Sequence, residues 1–289
     1  MSDQVISFVA DNAYANHAKS IMVNCRRQGG WTGDFCMISP DSFDTSDFER
    51  RGVNVLHIPG DKWDFTTKFW FYSPFFRRWK TMLATDLDIM VQGPLQKVFD
   101  ELSQRLPKIL MDLEDGSTID GLKQWDPLAA EHETRYSELL DRFPHASKRM
   151  FNTAFALFSP ESIPEDTMQR AIDIQNEFVD IDPSKADQMV LNLLLYDRME
   201  LAGKDYVCFF GCDYPENQIA SEYRQWRGDE EPAILHYTRW FAPWVVKEIC
   251  HSPEPNTEPG AYRNHRLGRI CHELYAENLA AFDETFPVA

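Results

Sequence analysis

Short apolar runs recur between residues 5 and 84, and this pattern limits the possible folds more than any other feature of the chain. Val5 to Ala10, Phe35 to Ile38, Val53 to Ile58 and Trp79 to Ala84 are rich in strand-forming residues. Segment 13–27, between the first two runs, suits a helix. Short buried strands that alternate with helices predict an α/β fold, with a mostly parallel sheet and helices on both faces.

The rest of the chain continues the same alternation. Apolar residues at helical spacing predict a helix over Leu95 to Leu106. We also expect helices over Glu165 to Phe178 and over Ala186 to Met199, the second of which has an acidic residue in its first turn and Arg198 in its last. Short apolar runs predict further strands, at Ile109 to Met111, Phe155 to Phe158, Tyr206 to Phe210 and Ala233 to Tyr237. We expect the acidic segment 112–141 to form a solvated face, or alternatively a substrate-facing lid. A proline-rich linker or loop, 251–261, precedes a predicted terminal helix over Tyr262 to Thr285.

Composition and charge exclude several classes of protein. Hydrophobic residues make up 43% of the chain, enough to bury a sizeable core. The 46 acidic and 29 basic residues give a formal net charge of -17, which argues against a nucleic-acid partner because phosphate binding needs a basic face. The sequence has no signal-peptide pattern and no run of ~20 apolar residues, so we expect no transmembrane segment. Six scattered cysteines fit a reducing, cytoplasmic location.

Two aspartates interrupt an apolar stretch and are the strongest candidates for chemistry. Asp86 and Asp88 lie between Leu83 and Val91, directly after a predicted strand. Because burial of an unpaired carboxylate is costly, the pair predicts a cation, a hydrogen-bond cage or an exposed strand end. At the carboxyl edge of a parallel sheet the pair would face the crevice where ligands bind. Carboxylate oxygens suit Mg²⁺ or Mn²⁺, which bridge phosphates. The structural alternative is a simple acidic turn.

Five short segments match one enzyme family in the family's own order. They are Phe8 to Tyr14; Thr67-Lys68-Phe69; Asp86-Leu87-Asp88 followed by Gly93-Pro94-Leu95; Phe151 to Phe155 with Asp187-Gln188 and Leu191-Asn192; and Leu235-His236-Tyr237 with Pro243-Trp244. In these segments the chain resembles the GT-A fold glycosyltransferases, particularly the retaining family that includes glycogenin and bacterial lipopolysaccharide galactosyltransferases. The resemblance covers residues 5–244, and its weight comes from the common order of the segments.

This resemblance implies an activity and a domain organisation. It implies metal-dependent transfer of a sugar from a nucleotide-sugar donor, a UDP-sugar, to a hydroxyl of a carbohydrate or glycan acceptor, with retention of configuration. Residues 1–250 would form a GT-A domain with a Rossmann-like sheet. Within it, 1–106 would be the nucleotide-binding half and 107–250 the acceptor and sugar half. Residues 251–289 would be a linker and a C-terminal helical tail.

The resemblance also implies roles for individual residues. It assigns Mn²⁺ or Mg²⁺ to Asp86, Asp88 and His236. It assigns donor binding to Asp11, Asn12, Tyr14, Lys68, Asp86 and Asn152. Within this set Tyr14 would cover the base and Lys68 would approach the diphosphate. Asp187 and Gln188 would line the sugar and are the nearest candidates for catalytic groups.

Several of these residues have structural alternatives, and the function has two rivals. Asp11 could cap a loop, Tyr14 could be a core aromatic, Asp187 could be a helix N-terminal acid, and His236 could be a structural hydrogen-bonding residue. A haloacid-dehalogenase-type phosphatase would use Asp86 as nucleophile. The other rival is a non-catalytic protein that binds nucleotide sugars.

Three positions depart from the family pattern. Ala154 stands where the family commonly has Gly, which would crowd the sugar or the acceptor. Arg239 stands where a Gly often follows the His, and Ala242 replaces a Lys that normally reaches the diphosphate. The sequence therefore leaves the donor sugar, the acceptor and the oligomeric state undetermined.

Overall fold

The fold is built on a seven-stranded, mostly parallel sheet. A computed structural model describes residues 2–62, 64–112, 114–118, 128, 130–178, 186–203, 206–210, 233–237 and 274–288. Its strands are β1 (Gln4–Val9), β2 (Asp34–Pro40), β3 (Asn54–Ile58), β4 (Thr81–Thr85), β5 (Ile89–Val91), β6 (Ile109–Met111), β7 (Glu114–Thr118), β8 (Arg149–Phe151), β9 (Phe155–Phe158), β10 (Met199–Leu201), β11 (Val207–Phe210) and β12 (Ile234–Tyr237). The large sheet has the order β10-β6-β9-β4-β1-β2-β3. Among these described strands β9 runs antiparallel to its neighbours.

Helices connect most of these strands. The α-helices are α1 (Ala15–Arg27), α2 (Ser46–Glu49), α3 (Leu95–Leu102), α4 (Glu133–Arg142), α5 (Thr167–Phe178), α6 (Ala186–Leu195) and α7 (Phe282–Thr285), and residues 274–280 are also helical. The 3-10 helices are Phe65–Tyr72, Pro74–Arg78, Ser103–Arg105, Pro144–Ser147, Pro160–Ser162 and Tyr196–Arg198. No helix within the described residues is long and apolar enough to cross a membrane.

The sheet separates two hydrophobic cores, because successive side chains of a strand point to opposite faces. Val5 and Met82 pack into the core beneath α4, α5, α6 and the 3-10 helix Phe65–Tyr72. Their neighbours Ile6 and Leu83 pack into the core beneath α1, α3 and α7. The predicted α/β fold with helices on both faces of a mostly parallel sheet is confirmed.

Two sequence-based predictions of local structure differ from the structure. The helix predicted from Ala186 to Met199 is an α-helix to Leu195 and a 3-10 helix from Tyr196 to Arg198, and only Met199 lies in a strand, β10, beside β6. The segment 112–141 is not solvated throughout, because Asp112 is buried and α4 buries Tyr136 in the core. The predicted loop 251–261 and the first part of the predicted terminal helix, 262–273, lie outside the described residues.

The strand order brings several polar residues to one edge of the sheet. β1, β4 and β6 share one direction, so their carboxyl ends meet at the same edge. Asp11, Asp86 and Asp112 follow these three strands. β9 runs the other way and therefore begins at this edge, where the Asp86 amide donates to the carbonyl of Ala154 at 2.9 Å. This is the edge at which open α/β sheets bind ligands.

Candidate metal and donor site

A second, small sheet carries His236 to the aspartate pair. It has the order β11-β12-β5, and β12 pairs antiparallel with β5 so that His236 lies opposite Ile89. Because Ile89 follows Asp88 directly, this register sets His236 beside the pair despite the long separation along the chain. Potential ligand atoms of Asp86, Asp88 and His236 all lie within 4.8 Å of one another. The structure thus brings together the three residues to which the resemblance assigned the metal.

Asp112 orients the imidazole of His236. Its Oδ2 lies 2.6 Å from Nδ1 of His236, and the two side chains are 0% and 2% exposed. Because an ionised carboxylate can only accept, this hydrogen bond assigns the proton to Nδ1 and leaves Nε2 facing Asp88, 3.8 Å from its Oδ1. Carboxylate partners of this kind commonly fix the histidine ligands of metals. Asp112 is not among the site residues predicted from the sequence, although it follows a buried strand directly, as Asp86 does.

The residues present fit a divalent cation. Oδ1 of Asp88 is buried and has no hydrogen-bond partner within the described part of the chain. A carboxylate oxygen in that position is costly unless a cation offsets its charge. Two carboxylates and one imidazole are ligands that Mn²⁺ and related ions accept. The three residues could therefore hold a metal ion, and the identity of that ion stays a prediction.

The protonation of this cluster opposes metal binding. Burial raises the pKa of Asp88, and the charge of Asp86 adds to this effect. Burial lowers the pKa of His236, but the hydrogen bond to Asp112 and the charges of the nearby carboxylates outweigh it, so the pKa rises overall. Both shifts favour the protonated forms, and a metal must displace those protons to bind.

Lys68 links the cluster to the predicted sugar side of the site. Its Nζ lies 2.8 Å from Oδ1 of Asp86 and 3.1 Å from Oδ2 of Asp187, and the side chain is 12% exposed. Burial lowers the pKa of Lys68, but the charges of these two carboxylates outweigh it and raise the pKa, so the ammonium stays charged. The 3-10 helix that carries Lys68 begins with a capping box, in which Asp64 accepts from the Thr67 amide and the Thr67 side chain accepts from the Asp64 amide.

Asp187 lies in the first turn of α6, as its alternative role of helix acid requires. Its side chain is also buried and accepts a hydrogen bond from the Thr153 hydroxyl at 2.9 Å. Gln188, the next residue, is buried as well. Asp187 therefore has both a helix position and specific partners at the site. Thr153 is a second residue that the sequence analysis did not assign.

The turn before β9 is fixed by two asparagines. Asn192, on α6, exchanges two hydrogen bonds of 2.8 Å with the backbone of Phe151. Asn152 then accepts from the amide of Ala154 at 2.9 Å. Asn152 therefore lies at the same sheet edge as Asp86. Ala154 itself is buried, at the position where the family commonly has Gly.

The predicted base-binding residues form the turn between β1 and α1. Oδ1 of Asp11 accepts from two backbone amides of this turn, at 2.9 and 3.2 Å, so its loop-capping alternative is correct as a structural role. Asn12 is exposed. Tyr14 is half-buried, and burial, then the charge of Asp11, then that of Asp88 raise its pKa. The Tyr14 side chain also packs against the core beneath α1, α3 and α7.

Four positions from the sequence analysis lie outside the described residues. They are Arg239, Ala242, Pro243 and Trp244. The effect of the first two departures therefore stays a prediction.

The sheet, its ligand edge and the cluster of two aspartates with one histidine are those expected of a GT-A fold glycosyltransferase. Residues 61–247 match the sequence profile of "Glycosyl transferase family 8". The chain belongs to this family. The predicted family resemblance is confirmed, and the phosphatase and the non-catalytic binder are left without support.

Comparisons with individual proteins agree with this assignment. The chain is similar to the glycosyltransferase GlyB of Streptococcus pneumoniae serotype 4 (strain ATCC BAA-334 / TIGR4), with 23% identity over 199 residues, 67% of this chain and 42% of GlyB. It is also similar to the crystal structure of the glycosyltransferase GlyE of Streptococcus pneumoniae TIGR4, with a TM-score of 0.58, 18% identity, and coverage of 100% of this chain and 66% of GlyE. The chain therefore spans less than two thirds of the length of either protein.

Two structures of LgtC match this chain over nearly the full length of both proteins. An active-site mutant of LgtC gives a TM-score of 0.62 at 12% identity, over 94% of this chain and 95% of that one. The galactosyltransferase LgtC in complex with donor and acceptor sugar analogues gives a TM-score of 0.55 at 14% identity, with the same coverage. At these identities the likeness establishes the GT-A fold.

Proposed function

We propose that the protein transfers a sugar from a UDP-sugar to a hydroxyl of a carbohydrate or glycan acceptor, with retention of configuration and with Mn²⁺ or Mg²⁺ bound. The observation that carries this proposal is the convergence of Asp86, Asp88 and His236 within 4.8 Å in a chain of glycosyl transferase family 8. The LgtC complex with donor and acceptor sugar analogues supports the two classes of substrate.

The proposed reaction exchanges one bond at the anomeric carbon for another. The bond from this carbon to the diphosphate oxygen breaks, the acceptor oxygen forms a bond to the same carbon, and UDP and the acceptor's proton are released. When bound, Mn²⁺ or Mg²⁺ would supply Lewis-acid stabilisation of the negative charge that develops on the diphosphate. Asp86, Asp88 and His236 would hold the ion, and Asp112 would keep His236 in the tautomer that can bind it.

The remaining residues divide between the two ends of the donor. Lys68 holds a positive charge between Asp86 and Asp187, where it can bind an anionic donor. We propose that Asp187 and Gln188, with Asn152, bind the sugar and are the candidate catalytic groups. Thr153 fixes the orientation of Asp187 through its hydroxyl.

At the other end Asp11, Asn12 and Tyr14 would bind the uridine. This division supports residues 1–106 as the nucleotide-binding half and 107–250 as the acceptor and sugar half, followed by the tail 251–289. We also propose a cytoplasmic location, on the basis of the scattered cysteines.

The test is the substitution Asp88→Asn, which keeps the shape of the side chain but removes its charge. Release of UDP from a panel of UDP-sugars with Mn²⁺ should fall more than about 100-fold, because even outer partners of metal sites cost about 10–100-fold. The thermal midpoint of the metal-free protein should be preserved. Asp100→Asn, at an exposed acidic residue of α3, is the matched control and should keep the activity.

Two results would contradict the proposal. One is metal-dependent UDP release that persists in Asp88→Asn. The other is a phospho-aspartate at Asp86 formed without any nucleotide, which would restore the phosphatase alternative.

A further inference from the structure

The C-terminal residues 274–288 return to the beginning of the chain and pack on α1. The Ser20 hydroxyl of α1 donates to the carbonyl of Tyr275 at 3.3 Å. About two turns further along α1, Arg27 forms an ion pair with Glu284 at 2.7 Å. Phe282 is buried in the same core as the α1 side chains. This docking brings a segment remote in sequence next to the turn that carries the predicted base-binding residues.

Three rings form a continuous row at this junction. The Tyr14 and His17 rings lie edge to face with centroids 5.4 Å apart, and the His17 and Tyr275 rings lie edge to face at 5.6 Å. The Tyr275 hydroxyl lies 3.1 Å from Nδ1 of His17. Burial lowers the pKa of His17 to about 4, so at neutral pH the imidazole is uncharged and Nδ1 can accept from this hydroxyl. The row therefore ties Tyr14 to the C-terminal segment through one hydrogen bond and two ring contacts.

We infer that Tyr275 is a positioning residue for the nucleotide base, which acts by holding His17 and, through it, the ring of Tyr14. This inference rests on the proposed function, in which Tyr14 covers the base of a UDP-sugar. Edge-to-face pairs have a preferred geometry, so each ring restricts the orientation of the next. A ring that is held before the ligand arrives loses less conformational freedom on binding, and the affinity rises accordingly.

The inference predicts a selective loss of affinity for the base. Tyr275→Ala should weaken the binding of UDP with Mn²⁺ by about fivefold, the size expected for an aromatic contact. Binding of inorganic pyrophosphate with Mn²⁺ should be unchanged, because pyrophosphate has no base. Tyr275→Phe keeps the ring and removes the hydroxyl, so its UDP affinity should lie between those of the wild type and Tyr275→Ala. Glu284→Gln removes the ion pair to α1 away from the ring row and should leave UDP affinity unchanged.

A double-mutant cycle with Tyr14→Ala tests whether Tyr275 acts through Tyr14. If it does, the variant with both substitutions should bind UDP no more weakly than Tyr14→Ala alone, since coupled residues give non-additive effects. The inference would be overturned if Tyr275→Ala lost equal affinity for UDP and for pyrophosphate, or if its loss of UDP affinity added fully to that of Tyr14→Ala. UDP binding by the wild type would still support the proposed function in either case. Failure of the wild type to bind UDP with Mn²⁺ would overturn both. Calorimetry on the full chain gives all of these affinities, and thermal unfolding of each variant verifies that it is folded.

Discussion

Asp112 is a buried carboxylate that fixes the imidazole of His236, the proposed metal ligand. Its hydrogen bond to Nδ1 of His236 sets which nitrogen faces Asp88. It also opposes the effect of burial on the pKa of His236. A histidine without this partner would be free to adopt the other tautomer, which protonates Nε2, or to rotate, which turns Nε2 away from the aspartate pair. Either change would prevent Nε2 from binding a metal there.

We therefore expect Asp112→Asn to weaken Mn²⁺ binding by about 10–100-fold, the usual cost of losing such a partner. Asparagine has nearly the same volume, so the fold should be retained. Titration calorimetry with Mn²⁺ measures the effect, and Asp100→Asn serves as the exposed acidic control. An unchanged Mn²⁺ affinity, alongside a loss in Asp88→Asn, would limit Asp112 to a structural role.

Residue type and order were enough to predict some members of this site but not others. Asp86, Asp88 and His236 carry groups that bind metals directly, so their pattern in the sequence is informative. Asp112 and Thr153 act on the side chains of distant residues, and no local pattern encodes such a contact. The pairing of His236 with Ile89 depends on the register of β12, which only the folded chain defines.

At the scale of elements, α1 fixes the short strand that follows the aspartate pair. The buried side chain of Asn24 donates to the carbonyl of Val91 at 3.1 Å and accepts from its amide at 2.6 Å. These two hydrogen bonds satisfy the backbone of β5 on one edge, as a paired strand would. The other edge of β5 pairs with β12, which carries His236. α1 therefore supports the short strand after the aspartate pair, while Tyr14 lies at the N-cap position of the same helix.

Asn24→Ala should lower the free energy of unfolding by about 2–6 kcal/mol. The reason is that two buried backbone groups of Val91 lose their partner, at about 1–3 kcal/mol for each unsatisfied group. Asn16→Ala, at an exposed position of the same helix, corrects for the difference in helix propensity. Urea denaturation followed by circular dichroism measures both variants. Equal stabilities would mean that water replaces the Asn24 side chain at no cost.

The elements that the sequence predicted best are the long or strongly apolar ones. α1 and the core strands β1, β2 and β4 have enough apolar residues to reveal their type. β5 and β10 each have three residues, too few for a periodic signal. The predicted helix was therefore extended one residue too far, to Met199, which pairs with the parallel strand β6.

At the scale of the whole molecule, charge decides how an anionic donor can bind. The chain has a formal net charge of -17, and the carboxylates of Asp86, Asp88, Asp112 and Asp187 surround the site. Within the described residues of the site, Lys68 is the side chain that holds a permanent positive charge against them. A diphosphate adds further negative charge at this location. The donor and the metal should therefore bind together. The cation would offset the repulsion between the carboxylates and the diphosphate, and the diphosphate would add negative charge that favours the cation.

Thermal unfolding in a panel of nucleotide sugars should reveal this coupling. A ligand at 100 times its Kd adds about 2.7 kcal/mol to the stability of the folded state, which corresponds to a rise of about 4–5 °C in Tm for a chain of this length. We expect such a rise for the preferred UDP-sugar with Mn²⁺. The rise should be small for the same donor in EDTA, because the carboxylates then face the diphosphate without a cation. Asp88→Asn should show no rise with either mixture, although its own Tm is preserved.

A donor that raises the Tm equally with Mn²⁺ and with EDTA would show that the metal does not mediate donor binding. The UDP-sugar that gives the largest metal-dependent rise identifies the donor, which the residues at 154, 239 and 242 leave open.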